Sequence, residues 1–187
     1  MFIQTETTPN PAVLKFIPGR TVLETGAAEF NEPEEAARSP LAAALFEITG
    51  VRRVFFGRDF VTVTKHEAVE WSHVKAPILA AIMDHFTSGE AILEAAEPEP
   101  EDEVYEGETA DVVEEIKDLL DTRIRPAVAQ DGGDIVFSKF EPQTGVVWLH
   151  MRGACSGCPS SAATLKAGVE NLLRHYVPEV TRVEQVL

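Results

Sequence analysis

Over residues 2–93, runs of alternating, β-branched and aromatic positions give way to stretches of helical period, and each change marks an element. Residues 2–7 and 13–17 read as two strands. Between them Thr8-Pro9-Asn10-Pro11 carries two prolines, which forbid a continuous ladder and predict a hairpin. Ser39-Pro40 opens an Ala/Leu-rich helix through Ile48, with Ser39 as N-cap, Pro40 in the first helical position and Gly50 as the stop. Residues 51–56 and 60–64 are β-rich runs on either side of Gly57-Arg58-Asp59, a second predicted hairpin. A helix over 71–86 follows, with Ile78, Ile82 and Phe86 on one face and Pro77 in its early turns.

Helical period returns at residue 111. Asp111 and Glu114 have capping-box spacing ahead of Val112, Ile116, Leu119, Leu120 and Ile124, and Pro126 predicts a kink or a restart. Asp131-Gly132-Gly133-Asp134 reads as a turn, 135–140 as a strand, 141–145 as a second turn and 146–151 as another strand. The next helix carries Ala162, Leu165, Val169, Leu172 and Tyr176 on one face. The pattern is α+β, in two small domains, 1–93 and 111–187.

Composition explains what joins them. Residues 94–111 hold nine carboxylates, two prolines and no Lys or Arg, so 94–110 is predicted to be an acidic linker that repels itself and stays extended. With 187 residues and 44% apolar content, there is material for a core on each side. The formal charge of -15 opposes a general role in binding nucleic acid or an anionic membrane; nine of those charges sit in residues 94–111, which leaves the rest of the chain with about six. No apolar run approaches the roughly 20 residues that span a bilayer. Residues 1–20 lack an apolar h-region and an Arg/Ser-rich amphipathic pattern, so the expectation is a cytoplasmic protein with neither membrane nor nucleic-acid partners.

The chemistry concentrates in one place. The two cysteines are Cys155 and Cys158, too few for a secreted disulfide framework and spaced as metal-binding or redox thiols are in a reducing compartment. They fall between a strand and a helix, in Gly153-Ala154-Cys155-Ser156-Gly157-Cys158-Pro159. Pro159 suits the first helical position, which puts Cys158 at the N-cap, where unpaired N–H groups and the positive dipole end favour thiolate. A Cys-x-x-Cys pair so placed serves as a dithiol/disulfide couple, half of a zinc site or half of an iron–sulfur site. Four-thiolate sites need twice the cysteines this chain has, so a second copy must complete one, and a two-fold dimer does so without new sequence features. Arg152 adds positive potential for an anionic cluster. His150 is the nearest other ligand by sequence but reads as a structural strand residue, and Asp131 and Asp134 read as turn residues rather than metal ligands. A hairpin, not the strand-helix-strand lead-in of thioredoxin-type motifs, precedes the pair, which weighs against the alternative of a thiol–disulfide oxidoreductase.

Residues 153–161, Gly-Ala-Cys-Ser-Gly-Cys-Pro-Ser-Ser, preceded by Asp131-Gly132-Gly133-Asp134, resemble the C-terminal domain of NifU-like proteins, the Nfu-type iron–sulfur cluster scaffolds and carriers. The N-terminal half resembles the family's partner domain through residues 2–11 (FIQTETTPNP), 14–19 (LKFIPG) and 51–65 with Phe55-Phe56-Gly57 at the centre. The resemblance implies that Cys155 and Cys158 of two subunits hold one [4Fe-4S] cluster, with a [2Fe-2S] form as the alternative occupant. It implies a homodimer through the cluster, upstream cluster-assembly proteins as donors and apo iron–sulfur proteins as acceptors. It carries over no catalytic residues, so no enzyme is expected, and it implies an α-β-β-α-β order for the C-terminal domain. Longer NifU proteins also carry a cysteine-rich scaffold domain and a [2Fe-2S] domain; this sequence has no further cysteines for either, which favours carriage over building clusters anew.

Overall fold

The computed structural model describes residues 2–94, 103–157 and 159–186, with 159–161 described by backbone alone. The chain divides into two compact units, Met1–Glu97 and Pro98–Leu187, each mixing helix and strand.

In the first unit, β1 (Gln4–Thr7) and β2 (Val13–Ile17) form the predicted antiparallel hairpin. Ser39 caps α1 (Pro40–Phe46), its Oγ accepting from the Ala42 N–H. The helix stops two residues short of the predicted Ile48. β4 (Val51–Phe56) and β5 (Val61–Lys65) pair around Gly57-Arg58-Asp59 as predicted, and α2 spans Trp71–Ser88. Two elements were not foreseen: β3 (Ala28–Phe30), which pairs with β4, and a 3-10 turn at Pro33–Arg38. The sheet order is β1-β2-β5-β4-β3, antiparallel throughout. Phe16, Phe30, Phe56, Leu41, Leu45, Ile78 and Ile82 are fully buried in its core, an area-proportional gain that dominates the stability of so small a unit.

In the second unit α3 spans Glu108–Leu119. Its N-cap is Gly107, so Asp111 sits in the first turn rather than capping the helix. Ahead of that helix, within the segment read as linker, the Tyr105 hydroxyl accepts from the Phe140 N–H at 2.9 Å and Glu103 pairs with Lys139 at 3.5 Å. The winding widens to a π turn at Leu120–Ile124 before α4 (Arg125–Gln130) restarts the helix. Pro126 has no N–H to return to the preceding turn, which accounts for the restart predicted there. β6 (Gly133–Glu141) and β7 (Val146–Gly153) form an antiparallel hairpin, α5 (Pro159–Tyr176) crosses over, and β8 (Arg182–Gln185) adds parallel to β7. This is the α-β-β-α-β order, with sheet order β6-β7-β8. Ile135, Phe137, Val147, Leu149 and Val183 from the strands join Ile116 and Leu120 from the first helical segment and Leu173 from α5 in one core.

Candidate functional site

The hairpin register builds the site. Gly133, the first residue of β6, lies opposite Gly153, the last of β7, and Asp134 lies opposite Arg152. Gly153 has φ +64°, a left-handed conformation that glycine adopts without a Cβ penalty, and the chain turns sharply out of the sheet there. The turn is stitched to the start of β6: the Ala154 N–H donates to Gly132 O at 3.1 Å, while the Ser156 N–H and Oγ both donate to Gly153 O, at 3.1 and 3.0 Å. Gly157, φ +85°, bends the backbone again before α5.

This turn carries Cys155 into the protein. The residue is only 5% exposed and belongs to the core of the second unit. Its Sγ lies over the Cα of Gly133, so close that a Cβ at position 133 would overlap it, and the same Cβ would sit 2.8 Å from Arg152 O and 3.0 Å from the Cys155 N. Cys158, and with it the expected N-cap position and the closed Cys-x-x-Cys loop, lies outside the described residues. α5 begins at Pro159 and has no acidic residue in its first turn, so the positive end of the helix follows the loop unopposed by its own side chains.

Among the other candidates, Asp134 is buried and clamped by Arg125, whose Nε and Nη2 reach its two carboxylate oxygens at 2.9 and 3.1 Å; Nη1 of the same guanidinium holds Asp121 at 2.9 Å. Burial opposes the charge on Arg125, but hydrogen bonds and charge from Asp134 and Asp121 outweigh it and hold the guanidinium protonated more firmly than usual. Asp134 is thus an ion-pair partner that anchors the start of β6. His150 lies half-buried on β7 and its pKa is pushed down, by burial first and by the nearby Arg152 charge second. Among the described residues, no three His, Cys, Asp or Glu side chains come together to hold a metal ion. Sequence reasoning singled out Cys155 but not the segment that faces it, Gly132-Gly133. The Asp-Gly-Gly-Asp turn was visible, yet only the cross-strand register shows that it faces the thiol.

The comparisons with known proteins cover both units. Residues 3–89 match the family described as scaffold protein Nfu/NifU N terminal, and residues 116–184 match the NifU-like domain. The chain is 53% identical over 188 residues to the Homo sapiens protein named NFU1 iron-sulfur cluster scaffold homolog, mitochondrial, covering all of this chain and 72% of that protein. The chain belongs to the Nfu/NifU scaffold family. An Arabidopsis thaliana relative, NifU-like protein 4, mitochondrial, is 52% identical over 186 residues, 99% of this chain and 66% of that protein. A solved NifU-like protein from Saccharomyces cerevisiae aligns over 51% of the Nfu-type chain and 87% of its own, at 26% identity and a TM-score of 0.47. The Nfu-type chain thus spans about two thirds of the Arabidopsis relative. The names correct one expectation, that of a cytoplasmic protein, because these relatives are named mitochondrial. Cysteine usage reports a reducing environment, not an address, so it could not separate one reducing compartment from another. No helix among the described residues is long and apolar enough to cross a membrane.

Proposed function

We propose that two copies of this Nfu-type chain hold one [4Fe-4S] cluster through Cys155 and Cys158 of each, and hand it to apo iron–sulfur proteins. The observation that carries the reading is the donor count: two cysteines per chain against the four thiolates a cubane takes. Family membership and the names of the relatives support an iron–sulfur cargo, and the mitochondrion named for those relatives is the compartment proposed with it.

The cluster is cargo, so the site must release it. Each chain contributes two sulfurs, and separating the pair, or letting an acceptor thiolate displace one ligand at a time, frees the cluster without unfolding a domain. Four thiolates in one rigid domain would keep a lost ligand poised to rebind, and transfer would be slow. The first turn of α5 and Arg152 supply positive potential that offsets the dianionic charge of a thiolate-bound cubane. Anaerobic reconstitution with iron and sulfide tests the reading: a brown protein with about two irons per chain is expected. A colourless protein that reduces insulin disulfides rapidly would instead support dithiol chemistry.

A further inference from the structure

We infer that Gly133 is a positioning residue for Cys155: its missing side chain forms the seat in which the Cys155 sulfur rests sheltered, and from which the sulfur must turn outward to ligate shared cargo. The role of Cys155 as a ligand rests on the proposed function; the seat itself rests on geometry alone. The sulfur lies over the Gly133 Cα at a distance no Cβ would tolerate, and the residue is 5% exposed. A sulfur seated over Gly133 in so buried a residue does not face a second chain. Ligation of a shared cluster therefore requires rotation about the Cys155 Cα–Cβ bond or opening of the turn held by Ala154 N–H to Gly132 O. The seat is rigid on its other side, because the next residue, Asp134, is clamped by Arg125. A seat of this kind keeps a reactive thiol out of solvent between deliveries, and its depth sets how readily the ligand swings out.

A simpler role for Gly133, relief of backbone crowding at the open end of the hairpin, is distinguishable, since Arg152 O and the Cys155 N would crowd a Cβ whatever side chain stands at 155. In the full chain carrying Cys158→Ala, Cys155 is the sole thiol, and its alkylation by iodoacetamide at fixed pH is expected to run at least about tenfold slower in native protein than in urea, because it waits on local opening. Gly133→Ala is expected to remove most of that protection. In urea unfolding, Gly133→Ala should lower the midpoint more in the wild-type background than in Cys155→Ala, where the overlapping sulfur is gone. Native alkylation as fast as in urea overturns the seat without any variant at 133, and an equal midpoint shift in both backgrounds reduces Gly133 to backbone packing. The outward turn is read from cluster uptake by Gly133→Ala with both cysteines present: faster than wild type is expected, and equal or slower uptake overturns it. If wild-type protein takes up no cluster while Cys155 is protected, the proposed function fails and the seat stands.

Discussion

Arg125 and Asp134 show how much a single side chain carries here. The pair ties α4 to the first residues of β6, and the Asp134 side chain is only 10% exposed. Arg125→Met would leave that carboxylate buried and uncompensated, and is expected to cost about 3 kcal/mol in urea unfolding. Two histidines set a pH dependence. His85 is pushed below its ordinary value by burial, with Glu90 opposing in part, and its buried Nε2 has no hydrogen-bond partner among the described residues; His150 is pushed down by burial and then by Arg152. Both are harder to protonate folded than unfolded, so the unfolded chain binds more protons on acidification. Their contribution is complete above the unfolded value of about 6.5 and is lost as pH falls from there through the folded values. The urea midpoint should therefore drop as pH is lowered through that window, and His85→Leu should flatten the drop; a midpoint that rises on acidification contradicts the assignment.

Ser39 and Gly145 make the matching statement for elements. Ser39 is fully buried, and its hydroxyl accepts from the Ala42 N–H at 3.1 Å while donating to Ile92 O at 2.6 Å, tying the start of α1 to the segment after α2. Ser39→Ala is expected to cost about 1–2 kcal/mol in denaturant unfolding. Gly145, φ +69°, turns between β6 and β7 where a Cβ would strike Glu179 O, and its own carbonyl accepts from the Thr181 N–H at 2.8 Å. Gly145→Ala should cost about 1–3 kcal/mol and loosen β8, seen as faster amide exchange there. The Ser39 cap, both hairpins of the first unit and the long α2 were legible because local residues determine them. β3 was not, since three residues carry no period and owe their strand to β4. The helix faces hold at Ile78, Ile82, Ile116, Leu120 and Val169, which are buried as predicted, and slip by about one residue only toward the ends of the second and last long helices. His85 is buried more fully than the predicted Phe86, and Leu173 and Val177 fill the core while Tyr176, expected inside, is 41% exposed and bonds Arg123 at 3.0 Å. Period alone fixes a stripe but not its centre, which tertiary packing chooses. The same holds at the site, where the Cys155 motif is local in sequence and the glycine beneath it is brought there by strand pairing.

For the whole molecule, the charge left after the acidic segment is modest, and the proposed function turns on association. If two chains share one cluster, dimerisation and loading are linked, and stripping the cluster should shift the protein toward monomers in sedimentation. Deleting residues 1–93 should leave cluster binding intact and abolish transfer to at least one acceptor, if the N-terminal unit selects acceptors; unchanged transfer to every acceptor tested removes that role. The most direct test is iron content and mass measured together on anaerobically reconstituted protein, wild type beside Cys155→Ala. The sharing of ligands predicts a wild-type dimer with about two irons per chain and a monomeric, iron-free variant. A Cys155→Ala protein that stays strictly monomeric and still retains a full, stable cluster would contradict it.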